Sequence, residues 1–177
     1  HGLRDAYEIA HQEQAKTMLL ALGEWTLDIT AGLTDEQIQQ MLVSEHGGLN
    51  EVFADMAAIS GDERYLALAR KFTHQTILQP LTESQDKLTG LHANTQIPKI
   101  IGALRVAELD NDQVWADAAK FFWNTVSQHR SVSIGGNSVR EHFHDDDNFT
   151  AMVEDAQGPE TCNTYNMMKL SKMLFLR

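Results

Sequence analysis

The residues of this 177-residue chain best equipped for chemistry crowd into one stretch, Ser133 to Met168, reading SIGGNSVREHFHDDDNFTAMVEDAQGPETCNTYNMM. Carboxylates, histidines and the single cysteine, Cys162, meet there, and helical periodicity lapses over a long interval. Loops of such length inside a helical domain are uncommon unless functional or disordered. Gly135 and Gly136 open this one and Gly158 with Pro159 closes it, turn chemistry that predicts an ordered loop. Glu160 and Cys162, two positions apart, are both competent zinc ligands, because zinc accepts oxygen and sulfur donors together. Two ligands do not make a site. His142 and His144 beside Asp145, Asp146 and Asp147 suggest a second metal site, against which stands the simpler reading of a solvated charge run. Taken alone, Glu141 reads as a surface carboxylate and Cys162 as a small buried side chain.

The composition narrows the partners. With 14 Lys and Arg against 25 Asp and Glu the net charge is −11, which argues against nucleic acid or an anionic membrane, both of which need clustered cations. A neutral or weakly polar substrate fits better. No apolar run approaches the roughly 20 residues of a membrane span, and HGLRDAYEIAHQEQA lacks the basic-then-apolar plan of a signal peptide. Because an amphipathic pattern begins at once with no initiator methionine, the chain is expected to be a fragment, one partial domain over residues 1–177, and its compartment is left open. A single cysteine excludes an internal disulfide.

The elements that must position these residues are helices. Apolar spacing predicts them over Leu3 to His11, Ala15 to Ile29, Asp35 to Val43, Asn50 to Ile59 and Glu63 to about Gln75, with Pro80 ending that region. A helix then starts at Pro98, a good first-turn residue, and runs to Leu109. Its partner spans Gln113 to His129, and a last helix spans Thr161 to Arg177. The helices repeat. A shift of fifty lays Tyr65 on Trp115, Ala69 on Ala119 and Phe72 on Phe122, and a shift of forty-seven lays Ala10 on Ala57, Met18 on Tyr65 and Trp25 on Phe72. Three hairpins in one register predict an all-α array, either an open solenoid or a closed α/α toroid, with these stripes as hairpin core. Polar clusters fall at the hairpin junctions: Glu45-His46-Gly47-Gly48-Leu49-Asn50-Glu51, His92-Ala93-Asn94-Thr95-Gln96 and Glu160-Thr161-Cys162-Asn163-Thr164. Gathering them on one rim, with the Glu141 loop, favours a pocket and hence the toroid.

At these junctions the sequence resembles a known family. EHGGLNEVFADM, GLHANTQIPKIIGALR, GGNSVREHF and ETCNTYNMMKL stand in order like the signatures of bacterial β-L-arabinofuranosidases of glycoside hydrolase families 127 and 146, over a span from about Trp25 to the last residue. The resemblance implies an (α/α)6 toroid, of which this chain would be a part, and hydrolysis of β-L-arabinofuranosyl bonds in plant-type glycans with retention. It implies a cysteine nucleophile, a glutamate acid/base and a zinc ion held by one glutamate and three cysteines. Residue by residue, Glu160 and Cys162 match the family's Glu-x-Cys zinc ligands, Glu141 matches the acid/base, and His46 and His92 match histidines that hold sugar hydroxyls. The nucleophile and the other zinc cysteines belong to a later motif absent from these residues, so the fragment alone is expected to retain neither zinc nor activity. Its uncovered helix faces suggest a homo-oligomer. Such an enzyme splits one displacement into two, needing a nucleophile and a group that first donates and then accepts a proton. A non-catalytic helical-repeat binding module, or another α/α-toroid sugar enzyme such as an epimerase or lyase, stand as alternatives.

Overall fold

A computed structural model describes residues 1–177 as ten α-helices and one π-helical turn, with no β-strand. The helices are α1 (Gly2–Glu8), α2 (Glu13–Thr30), α3 (Asp35–Met41), α4 (Leu49–Ser60), α5 (Glu63–Lys71), α6 (Gln75–Thr82), α7 (Ala93–Asp110), α8 (Gln113–Asn124), α9 (Thr150–Glu154) and α10 (Thr161–Leu176). The π turn, Thr125–His129, extends α8. Three hairpins form as expected, α1 on α2, α4 on α5 and α7 on α8, and α7 lies between α4 and α10. This two-layer stacking is consistent with part of an all-α toroid, with α4, α7 and α10 as neighbours in one layer.

The repeat has a local cause. Two hairpins turn by the same device, a left-handed C-cap at Gly61 or Asn111 followed by an aspartate N-cap, Asp62 accepting from the Arg64 N–H at 2.9 Å and Asp112 from the Trp115 N–H at 3.1 Å. Between the hairpins, the Arg70 guanidinium of α5 stacks over Trp115 of α8 at 4.5 Å and donates to Asp112 at 2.9 Å. The predicted core stripe holds in the second and third hairpins, where Tyr65, Ala69, Phe72, Ala119 and Phe122 are buried. It fails in the first. Met18 is 51% and Trp25 59% exposed, because nothing in the chain packs on that face of α2.

Three boundaries differ from the sequence expectation. The helix expected from Pro98 begins five residues earlier, at Ala93, because the His92 ring caps it through the Thr95 N–H at 3.3 Å. Pro98 then sits inside the helix, where it lacks the N–H that would have bonded the Asn94 carbonyl. The helix expected through Gln75 breaks after Lys71 into α5 and α6, with Pro80 inside α6. Gln39 of α3 makes the break possible: its amide donates to the Lys71 and Thr73 carbonyls, both at 3.1 Å, and accepts from the Gln75 N–H at 2.8 Å. The long loop also contains the short helix α9.

Close approach of α4 and α7 depends on Gly102. A Cβ there would lie 2.0 Å from Asn50 Oδ1 and 2.2 Å from its Cγ. Asn50, fully buried, uses the space to donate to the Lys99 carbonyl of α7 at 2.9 Å and to Thr73 Oγ1 at 3.3 Å. Backbone and side chain on three elements are thereby tied at one point.

Candidate active site

The start of α7 organises the site. His92 caps it with Nδ1, which accepts from the Thr95 N–H, so the ring proton resides on Nε2. That nitrogen lies 3.8 Å from Glu141 Oε2, within electrostatic reach though too long for a hydrogen bond. Helix starts leave several N–H groups without intrahelical acceptors, and the Ala93 N–H finds one in the Glu141 carbonyl at 2.8 Å. Next to it the Gly90 N–H donates to the Phe143 carbonyl, and the Phe143 N–H to that of Leu91, both at 2.9 Å. Phe143 is buried, its ring edge-on to Phe122 at 6.4 Å, and it anchors the loop in the core.

Between these anchors Arg140 and Glu141 both take left-handed backbone conformations, φ 47° and 68°. Consecutive non-glycine residues of this kind are strained and persist only when their surroundings over-determine them. Here the Arg140 N–H donates to the Gln157 carbonyl at 2.8 Å, and its guanidinium to Asp155 at 2.8 Å. The outcome is a Glu141 carboxylate directed outward, its side chain 59% exposed.

On the far side of the loop, Cys162 and Glu160 stand at the start of α10, the thiol donating to Glu160 Oε2 at 3.3 Å. Burial, with the thiol's hydrogen bond to Glu160 and that carboxylate's negative charge, pushes the thiol pKa up. The buried Asn163 amide donates to Asn137 Oδ1 at 3.1 Å and Ser138 Oγ at 2.7 Å, joining α10 to the loop. Gly136 presses so closely on Pro159 that a Cβ there would lie 2.3 Å away. A cavity of about 530 Å³ opens here, lined by Arg140, Glu141, Gln157, Pro159 and Glu160 among others, so the acid/base candidate and one zinc-ligand candidate share a hollow.

The thiol and carboxylate are suited to zinc by donor type and by separation, yet they supply two of the four ligands zinc prefers. No group of three or more His, Cys, Asp or Glu side chains is arranged so that it could hold a metal ion, the His142 to Asp147 run included. Within that run His144 is a tether rather than a ligand, buried with Nε2 against the Arg130 carbonyl at 3.1 Å.

His46 belongs to a different cluster. No hydrogen bond or ion pair joins it to His92 or Glu141; its Nδ1 bonds the Ser44 carbonyl at 3.1 Å and its ring stands edge-on to His74, centroids 6.2 Å apart. His74 Nδ1 in turn lies 3.0 Å from Lys99 Nζ. Burial lowers all three pKa values: His46 below its usual range, His74 to about 4 with help from the Lys99 charge, and Lys99 to about 8. His92, Gln96 and Lys99 lie at helical spacing on one face of α7, so this cluster is linked to Glu141 along a single helix. Sequence reasoning passed over His74 and Lys99. A signal existed for Lys99, an ammonium set among Ile97, Ile100 and Ile101 inside a helix.

No curated protein matches this sequence. The family model described as β-L-arabinofuranosidase, GH127 catalytic domain, matches residues 1–177, the entire chain. The motifs around His92, Glu141 and Cys162, set on an all-helical frame, thus have a family home: the chain belongs to the GH127 β-L-arabinofuranosidase catalytic-domain family.

Proposed function

We propose that this chain is a portion of the catalytic domain of a retaining β-L-arabinofuranosidase, with Glu141 as its acid/base. One observation carries the reading. The Glu141 carboxylate is held outward on strained backbone, facing His92 Nε2 at 3.8 Å and opening on the cavity that Glu160 also lines. In the first step Glu141 gives its proton to the leaving glycosidic oxygen; in the second it removes one from the attacking water. His92, its Nδ1 already used as a cap, offers Nε2–H to a sugar hydroxyl, and His46, whose Nδ1–H is spent on the Ser44 carbonyl, offers its Nε2 as an acceptor from the neighbouring cluster. Family membership makes a glycan the substrate class, and an arabinose-containing oligosaccharide is the substrate proposed. Glu160 and Cys162 are proposed as two ligands of a zinc ion that, when bound, would hold a coordinating thiol as thiolate. The nucleophilic cysteine and the remaining ligands are placed outside these residues.

The test is hydrolysis of β-L-arabinofuranosides by the full-length protein. Glu141→Gln should cut turnover of a natural disaccharide by roughly 100-fold or more, with far less loss on a nitrophenyl glycoside whose leaving group needs no proton. Wild-type turnover of the disaccharide by Glu141→Gln would refute the assignment.

A further inference from the structure

The His46, His74 and Lys99 cluster shows a pairing of proton positions that the acid/base reading does not use. A charged lysine has only donors, so Lys99 Nζ at 3.0 Å makes His74 Nδ1 an acceptor and leaves the ring proton on Nε2. A backbone carbonyl only accepts, so the Ser44 oxygen at 3.1 Å places the proton of His46 on Nδ1 and leaves Nε2 a bare acceptor. Both Nε2 atoms are buried and have no partner in the protein. One is therefore a donor and the other an acceptor, on rings whose centroids are 6.2 Å apart and inclined at 71°.

Orphaned polar atoms in a native interior are rare and costly, and each calls for a partner. A carboxylate, acceptor only, would face the His46 lone pair; an ammonium, donor only, would face the His74 N–H. A hydroxyl, which donates one proton and accepts others, satisfies both together. A third orphaned buried atom, Gln96 Oε1, lies one turn before Lys99 on the same face of α7, its amide nitrogen held to the His92 carbonyl at 3.1 Å. His46 is itself partly exposed on the Glu45–Gly48 loop, although its Nε2 is buried.

We infer that His74 and His46 form a donor–acceptor slot for one sugar hydroxyl, and that Lys99 is the positioning residue that fixes the tautomer of His74. The inference rests on the glycosidase reading and adds to it a specificity-determining residue, His74, together with the chemistry it recognises: a neutral polyol ring in preference to an acidic or amino sugar.

The experiment compares the full-length protein with its His74→Phe and Lys99→Met variants on 4-nitrophenyl β-L-arabinofuranoside and its 2-, 3- and 5-deoxy analogues. In the wild type one analogue should lose about 10- to 100-fold in kcat/KM, the range expected for leaving a buried partner unsatisfied. In both variants the penalty on that analogue should shrink to under about threefold, with the ratios for the others unchanged; such selective loss is what a merely structural role would not give. Histidine-selective ¹⁵N spectra of the unmutated protein form a second arm that needs neither turnover nor a folded variant. They should show the proton of His74 on Nε2 and of His46 on Nδ1, and both Nε2 signals should move on addition of L-arabinose. Equal losses on all four substrates, a proton on His74 Nδ1, or signals that stay still at saturating sugar, as for a slot holding a resident water only, would overturn the inference. A wild type that cleaves none of the four glycosides yet shifts both signals would instead overturn the glycosidase reading and leave the slot standing.

Discussion

Gly102→Ala is the sharpest probe of how the helices hold the site. On an exposed helix this change gains about 1 kcal/mol from propensity. Here the new methyl would lie 2.0 Å from Asn50 Oδ1 and 2.2 Å from Asn50 Cγ, so the asparagine must leave its seat. Moving it breaks its bonds to the Lys99 carbonyl and Thr73 Oγ1 inside a fully buried region. An unsatisfied buried amide costs about 1–3 kcal/mol and overpacking about 1–3 more, so after the propensity gain a net destabilisation of roughly 1–5 kcal/mol is expected. Urea denaturation followed by circular dichroism should show a lower midpoint at unchanged slope. The double variant Gly102→Ala with Asn50→Ala makes the cause visible, because the methyl then occupies space the amide has vacated. Its cost should fall well short of the two single costs added together. A Gly102→Ala protein as stable as wild type, or strict additivity in the double variant, would refute the reasoning.

In the full-length enzyme Cys162→Ala should lower zinc content by metal analysis, whereas Glu141→Gln should leave it intact. On the proposed roles, residues 1–177 alone should keep no stoichiometric zinc after dialysis and show no arabinofuranosidase turnover; either retained would overturn those roles. The folded pKa of His74, about 4, lies below its ordinary 6.5, so the neutral ring favours the fold: that stability is present above pH 6.5 and is lost as pH falls through 4. With relaxation of the site around a charged ring allowed for, His74→Phe should reduce the acid destabilisation between those two pH values by on the order of 1–2 kcal/mol, read from urea midpoints; identical pH profiles would show that His74 does not titrate with unfolding.

The hairpins were legible because their turn chemistry repeats in the sequence, Gly61-Asp62 and Asn111-Asp112 standing fifty residues apart. Part of the expected rim was legible: His92 and Glu141 meet at the start of α7, and Glu141 and Glu160 line one hollow, whereas His46 lies with His74. Two kinds of fact were not. The break between α5 and α6 depends on Gln39, more than thirty residues away in the chain, whose amide takes over backbone bonds that no local pattern announces. The His46 and His74 pair was hidden because a histidine just outside a helix looks like a cap. Only coordinates show that His74 makes no cap bond and turns to Lys99 instead. Trp25 illustrates the converse, since periodicity records an apolar face without naming what covers it.

Placing His92, Gln96 and Lys99 on one helix turns α7 into a ruler. Its divisions are fixed by the rise of 1.5 Å per residue, so the cap and the lysine are about 10 Å apart along the axis whatever the surrounding loops do. Moving the proposed sugar contacts along this helix means moving a polar side chain a whole turn, about 5.4 Å, because intermediate positions point to another face. Redesign of the proposed slot along α7 therefore proceeds in discrete steps.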